Sequence, residues 1–254
     1  MTDLLDATAV DPAVEATTRV DLATAFRWAA RLNMHEACAN HFSAAVSGDG
    51  SRFLLNPQGA HFSRITASSL VLLDAHAAGT HGPASNVDPT AWYLHAHLHQ
   101  HVPRARVVLH THMPYTTALA CLADFEFLML DQNACRFHGR IAYDRGYAGM
   151  ALDDDEGKRV AGLLGDDKSV LFLANHGVMV VGATVAEAFD ELYYLEKAAQ
   201  LQVLALSTGR PLALVPDHIA AHACQQWLGY TDAPPMHLKA LQDILDDEEP
   251  GYRN

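Results

Sequence analysis

The sequence predicts a single α/β domain whose central sheet is antiparallel or mixed. Three observations support this prediction. Segments with helical apolar spacing interleave with short segments of strand character along the 254 residues. Several neighbouring strand segments are separated only by short turns, which is typical of antiparallel hairpins. Half of the residues are apolar, which suffices for a large core, and no repeat or linker divides the chain. We therefore expect one domain over residues 1–254.

The first half of the chain is predicted to contain two helices and four strands. Residues 1–16 have no clear pattern and are expected to form a loose arm. A capping box at 18–21 opens a helix that ends near residue 32. A second helix begins with Asp88 as N-cap and Pro89 at the first helical position, and runs to His101. The four predicted strands lie at 40–46, 53–55, 70–74 and 107–112.

The second half is predicted to contain five helices and four strands. The helices are expected at 115–122, 153–164, 184–208, 216–228 and 235–247, and the third of these opens with a capping box. Strands are expected at 128–130 and 141–143, and the segments 170–173 and 178–181 read as a hairpin with His176 in its turn. Residues 248–254 are expected to form an acidic, solvated tail.

The charge balance bears on the possible partners. Lys plus Arg number 17 against 30 Asp plus Glu, a formal charge of −13, so nucleic acid and anionic membranes are excluded as expected partners. The four cysteines form no C-x-x-C pair and are expected to be buried free thiols in a reducing compartment. Without a signal-like leader or an apolar run of membrane-spanning length, the chain is expected to be cytoplasmic.

The segment 107–112 carries the strongest chemical signal. An apolar, β-branched run ends in His110 and His112, and on a strand these two side chains point to the same face. His176, in the motif Asn-His-Gly at the end of another apolar run, is the best candidate for a third ligand. Three imidazoles with an open fourth position are typical of a catalytic zinc or a similar divalent ion. Each motif alone is also compatible with ordinary core or turn residues.

Histidines also alternate through the second predicted helix. His95 and His99 share a face at helical spacing, whereas His97 and His101 lie elsewhere around the helix. A pair without a third partner favours a structural role over metal binding.

These motifs resemble the class II aldolase/adducin family. The matching segments are 54–59, 92–95, 108–115, 173–177 and 182–189, and the resemblance covers about residues 20 to 210. It implies a three-layer α/β/α domain, a homotetramer with sites at subunit interfaces, and a divalent metal, usually Zn²⁺, with Mn²⁺ or Fe²⁺ as alternatives. By position, His110, His112 and His176 inherit the three metal-ligand roles.

The chain departs from the family where sugar-phosphate aldolases hold their proton-transferring glutamate. Ala91 occupies that position, so this carboxyl group is missing. His41 stands where the family has a phosphate-binding asparagine, next to Asn40. Gln58-Gly59 replaces a hydroxyl-glycine pair, and only Gly59 and Thr90 are retained among the phosphate-binding positions. A phosphorylated sugar is therefore a poor candidate substrate.

The expected function is that of a metal-dependent lyase, of decarboxylase or aldolase type, which acts on a small non-phosphorylated hydroxy or keto acid through an enediolate-like intermediate stabilised by the metal. Candidate proton donors and acceptors are His41, His138 and Tyr143. Candidate substrate-binding residues are Asn40, Gln58, Gly59, Thr90 and Arg136, the last as a partner for a carboxylate. Structural roles remain open for each of these residues. The alternatives are an adducin-like protein without catalysis, a non-haem iron oxygenase and a conventional sugar-phosphate aldolase.

Overall fold

The computed structural model describes residues 7–76, 86–147 and 149–254, and a seven-stranded mixed sheet forms its centre. The strands are β1 (His41–Ala45), β2 (Arg52–Leu55), β3 (Val71–Asp74), β4 (Val107–Thr111), β5 (Ile141–Asp144), β6 (Val170–Leu173) and β7 (Gly177–Gly182). Their order across the sheet is β3-β2-β1-β4-β7-β6-β5. Only β5 and β6 pair in parallel, whereas the other neighbours are antiparallel. The predicted mixed sheet is therefore confirmed.

Helices cover both faces of the sheet, which confirms the three-layer α/β/α architecture. They are α1 (Pro12–Arg31), α2 (Pro89–His101), α3 (Pro114–Ala120), α4 (Asp154–Leu164), α5 (Val185–Ser207), α6 (Asp217–Gly229) and α7 (Ala233–Glu248). Among the described residues, no helix is both long enough and apolar enough to span a lipid bilayer.

Alternate residues of each central strand face two different cores. On β4, Leu109 packs in the core formed with α1, α3 and α5, whereas Val108 packs in the core formed with α2 and α4. On β7, Val180 packs in the first of these cores and Met179 in the second. Strands covered on both faces need continuous apolar runs rather than alternation, which is why these segments are apolar throughout.

The strand register places several loops at one edge of the sheet. His41 pairs with His110 across β1 and β4, and His110 pairs with Met179 across β4 and β7. The segment before β1, the segment after β4 and the turn between β6 and β7 therefore open at this same edge. This edge, the histidine edge below, carries all three predicted metal ligands.

Four sequence-based predictions need correction. The first helix begins at Pro12 and not near residue 18, because Asp11 accepts a hydrogen bond from Ala13 N–H and caps it, so 12–16 are not part of a loose arm. Residues 128–130 form no strand. Cys38 and Cys121 are exposed, and only Cys135 and Cys224 are buried.

The fourth correction concerns the acidic C-terminal segment, which is not a solvated tail. Glu249 forms ion pairs with Arg27 (2.8 Å) and Arg31 (2.6 Å) of α1. Tyr252 is fully buried and packs with Ala23 and Leu245. The positive side chains of α1 therefore hold the end of the chain against the domain.

Candidate metal centre

Three imidazoles converge at the histidine edge. The ring centroid of His176 lies 4.8 Å from those of both His110 and His112. The Nε2 atoms of His110 and His112 are 3.2 Å apart, and one nitrogen from each of the three residues lies within 4.8 Å of the others. Nitrogens this close can share one ion at bond lengths of about 2 Å. The structure thus brings the three residues together, while their role as metal ligands remains a prediction.

The local sequence explains how His176 reaches this position. Asn175 adopts a left-handed backbone with φ of 56°, which asparagine tolerates better than most residues and which turns the chain sharply between β6 and β7. A Cβ atom on Gly177 would lie 2.6 Å from Thr111 O and 2.8 Å from His112 Cδ2. The glycine therefore leaves room for the His112 ring, and the motif Asn-His-Gly is a requirement of this turn.

Hydrogen bonds to the far side of two rings set their tautomers. His110 Nδ1 donates to Val178 O (3.1 Å), and His112 Nδ1 donates to a carboxylate oxygen of Glu36 (2.6 Å). In the neutral imidazoles, both Nε2 atoms then carry a free lone pair. Carboxylates and carbonyls commonly orient metal-binding histidines in this way. Sequence reasoning missed Glu36, since this exposed loop residue belongs to no motif.

Burial favours the neutral form of His110 and His176. It lowers the pKa of His110 well below its usual range, because the ring is almost fully buried. Burial also lowers the pKa of His176 to about 4, although the charges of Asp144, Glu156 and Glu36 act in the opposite direction. Neutral imidazole is the form that binds metals. The donor set therefore fits a divalent ion of the zinc type.

A chain of buried polar side chains lies behind His110. His41, whose ring centroid is 4.7 Å from that of His110, contacts His95 through Nδ1 and Nε2 (2.6 Å). Ser43 Oγ lies in hydrogen-bond contact with His95 Nδ1 and 2.7 Å from His99 Nε2. The series of hydrogen bonds ends where His99 Nδ1 contacts the backbone oxygen of Ala105 (2.7 Å). His95 and His99, for which a structural role is predicted, are thus members of this buried series of hydrogen bonds.

Three predicted catalytic or binding residues lie away from the triad. Arg136 and His138 precede β5, which runs parallel to β6, so they lie at the end of the sheet opposite the turn that carries His176. Arg136 pairs with buried Asp190 (2.7 Å), and His138 pairs with Asp217 (2.8 Å). Within this chain the structure therefore does not bring Arg136 or His138 to the three histidines, and their roles at the metal stay predictions.

Tyr143 does not join the triad either. Its hydroxyl accepts a hydrogen bond from Phe127 N–H (2.8 Å), and its ring stacks on Phe172. Burial raises the pKa of the Tyr143 hydroxyl. These contacts hold Tyr143 in the core, and proton transfer by this residue stays a prediction.

The predicted substrate-binding residues differ in their contacts. Asn40, which is buried, accepts a hydrogen bond from Glu36 N–H (2.6 Å) and so supports the loop beside His112. Gln58 and Gly59 are exposed in the turn after β2. The Thr90 hydroxyl donates to Asp88 (2.6 Å) in the N-terminal cap of α2. These contacts account for Asn40 and Thr90 within the chain, and the substrate-binding role of the set stays a prediction.

Comparison with known proteins identifies the family. Residues 20–203 match the model of the class II aldolase and adducin N-terminal domain, and the chain belongs to this family. The crystal structure of an aldolase II superfamily protein from Pseudomonas syringae is 34% identical, with a TM-score of 0.85 over 96% of this chain and 98% of that one.

Two Streptomyces proteins are also similar, each 30% identical over 224 residues. The decarboxylase NovR of Streptomyces niveus matches over 86% of this chain and 82% of its own length. The 4-hydroxy-3-prenylphenylpyruvate oxygenase/4-hydroxy-3-prenylbenzoate synthase of Streptomyces roseochromogenus matches over 86% of this chain and 80% of its own length. The family thus includes proteins with different activities on one scaffold.

Proposed function

We propose that this protein is a metal-dependent lyase that cleaves a carbon–carbon bond in a small, non-phosphorylated hydroxy or keto acid. The observation that carries the proposal is the convergence of His110, His112 and His176, with no fourth His, Cys, Asp or Glu in the cluster among the described residues. A structural zinc normally has four protein ligands, whereas a catalytic one keeps an open position. A divalent ion held there would act as a Lewis acid toward a carbonyl or carboxylate oxygen of the substrate.

The surroundings of the triad support this substrate class. Ala91 is buried in an apolar cluster and offers no acid or base at the position of the family glutamate. Decarboxylation suits such a site, because it requires stabilisation of negative charge and no initial proton abstraction. The NovR relative, which is named a decarboxylase, agrees with this proposal.

Zn²⁺ is the metal we propose, with Mn²⁺ and Fe²⁺ as alternatives, since three neutral imidazoles suit all of these ions to different degrees. On the basis of the family, we also propose a homotetramer with sites at subunit interfaces. The four unpaired cysteines favour the cytoplasm as its compartment.

A second candidate function is that of a non-haem iron oxygenase. The similarity to the Streptomyces roseochromogenus oxygenase favours it, at the same 30% identity as the decarboxylase. Oxygen consumption that requires Fe(II) and is absent with Zn²⁺ would identify the oxygenase. Turnover under anaerobic conditions would identify the lyase.

His112→Ala tests the metal centre. The variant removes one of three nitrogen ligands, so we expect divalent-metal affinity to fall by about a hundredfold or more and turnover of candidate acids to be lost. Metal analysis of protein purified without added metal, together with competition against a chelator, measures the affinity.

His138→Ala is the matched control, because it removes a half-buried histidine at the opposite end of the sheet. It should leave the metal stoichiometry near one per chain. Equal metal affinity in the wild type and His112→Ala would contradict the proposed centre. A wild-type stoichiometry well below one would instead favour an adducin-like role without catalysis.

A further inference from the structure

The chain of hydrogen bonds behind His110 has only one consistent arrangement of protons when its imidazoles are neutral. Neutrality follows from burial, since His41 and His99 are 4% exposed and His95 and Ser43 are completely buried. Each neutral ring then carries one N–H and one bare nitrogen.

The arrangement follows step by step from the backbone oxygen of Ala105. This oxygen only accepts, so His99 Nδ1 carries the proton and His99 Nε2 is bare. Ser43 must then donate its single proton to His99 Nε2. Ser43 Oγ is left to accept from His95, whose Nδ1 therefore carries a proton.

The last hydrogen bond of the series involves His41, whose ring lies next to that of His110. Because His95 Nδ1 is protonated, His95 Nε2 is bare and accepts from His41 Nδ1 (2.6 Å). The neutral His41 ring therefore has its proton on Nδ1 and a bare Nε2. None of the described residues hydrogen-bonds this Nε2, while the ring packs next to His110.

From these contacts we infer that His99, Ser43 and His95 form a relay that fixes the tautomer of His41, so that His41 offers a bare Nε2 to the metal centre as the acceptor for a substrate hydroxyl. The inference rests on the proposed function for the identity of the ligand. It assigns the substrate class more narrowly, to acids with a hydroxyl group on the carbon that bears the carboxylate. A neutral acceptor at a fixed position discriminates against an analogue that lacks the hydroxyl.

In this scheme His41 would touch the substrate, whereas Ser43, His95 and His99 are positioning residues. His41 occupies neither the site of the missing family glutamate nor the ligand cluster, since the cluster of metal-binding groups found among the described residues holds only His110, His112 and His176. Its contribution would be to orient a hydroxyl group. No member of the relay needs to change its protonation state for this role.

Nitrogen-15 NMR of histidine side chains in the metal-free protein tests the relay directly. In the wild type at neutral pH, we expect His41 to show a protonated Nδ1 and an unprotonated Nε2, and His95 and His99 to show the same tautomer. A dominant Nε2–H form or an imidazolium form of His41 would overturn the inference. This measurement needs no variant and no turnover, so it can fail independently of the proposed lyase function.

Ser43→Ala and Ser169→Ala form a matched pair. Both serines are fully buried, but the Ser169 hydroxyl has no hydrogen-bond partner among the described residues. Ser43→Ala should introduce an Nε2–H population at His41, because His95 is then no longer constrained. Ser169→Ala should leave the His41 spectrum unchanged. An unchanged His41 spectrum in folded Ser43→Ala would overturn the relay.

Glycolate and acetate serve as probes for the proposed acceptor, because they differ by one hydroxyl. With zinc-loaded protein, calorimetry should show tighter binding of glycolate, and Ser43→Ala should reduce the glycolate-to-acetate preference by about two- to tenfold, the contribution of one neutral hydrogen bond. Ser169→Ala should retain the wild-type preference. An equal preference in wild type and Ser43→Ala would overturn the role of His41 while leaving the metal centre intact.

Discussion

At the scale of single residues, Glu36 completes a site that the histidine motifs only outline. Its carboxylate accepts the Nδ1 proton of His112 and leaves Nε2 directed to the shared centre. The same residue is exposed and lies in the loop between α1 and β1. A carboxylate at this place would orient the proposed ligand His112 without joining the cluster of metal-binding groups, so it does not replace the glutamate that sugar-phosphate aldolases use.

Glu36→Ala should weaken metal binding by about ten- to a hundredfold, the effect usual for the loss of a carboxylate that orients a metal-binding histidine. The free energy of unfolding of the metal-free protein should change little, because the side chain is exposed. Chelator competition measures the first quantity and urea unfolding the second.

Glu248→Ala is the control, since it removes an exposed carboxylate that pairs with Arg31. Glu248 is distant in sequence from the three histidines. It should retain wild-type metal affinity. Equal affinities in all three proteins would show that Glu36 does not orient His112.

At the scale of elements, the hairpin of β6 and β7 sets the geometry of the centre. Its turn brings His176 beside two histidines that belong to the end of β4, and Gly177 allows the close approach of the two segments. The requirement is steric, since the space that a Cβ would need is already filled by Thr111 O and the ring of His112.

Gly177→Ala should therefore displace the His112 ring or separate β4 from β7. We expect a loss of about 1–3 kcal/mol in the free energy of unfolding, typical of overpacking, together with weaker metal binding. Denaturant unfolding and chelator competition measure the two effects.

Gly162→Ala provides the comparison, because a Cβ at this position in α4 meets no atom within 4 Å. This substitution should be neutral or stabilise the protein by up to about 1 kcal/mol, since alanine favours helix. A Gly177→Ala protein as stable as Gly162→Ala, with unchanged metal affinity, would refute the steric explanation.

At the scale of the whole molecule, the buried histidines couple stability to pH. His41 and His99 have folded pKa values of about 3 and 4, against an unfolded value near 6.5, because burial disfavours the charged ring. Between these values the unfolded chain binds more protons than the folded one. Stability must therefore rise with pH in this window and fall on acidification.

Metal-free protein should lose on the order of 2 kcal/mol of unfolding free energy for each of these two histidines between pH 7 and pH 5. Urea unfolding at the two pH values measures the change. His222→Gln, at an exposed position of α6, should preserve the pH dependence. Equal stability of the wild type at both pH values would contradict neutral burial of the relay.

Much of the architecture was predictable from local signals. Asp88-Pro89 located the start of α2, and the capping box at Thr184 located the start of α5, because caps are determined by neighbouring residues. The start of α1 differs from its prediction because the capping-box pattern at 18–21 lies inside the helix, while Asp11 is the N-cap and Pro12 the first helical residue. The motifs around His110, His112 and His176 are also local, and the resemblance to the family predicts that they converge.

What the sequence by itself determined is the alternation of elements, the family and the three converging histidines, because each depends on residues close together in the chain or on a recognisable motif. Only the tertiary structure decided that Glu36 supports His112, that Ser43 and two histidines order His41, and that Arg136 pairs with Asp190 at the other end of the sheet. These contacts join residues far apart in sequence, and such pairings leave no periodic pattern from which they could be predicted.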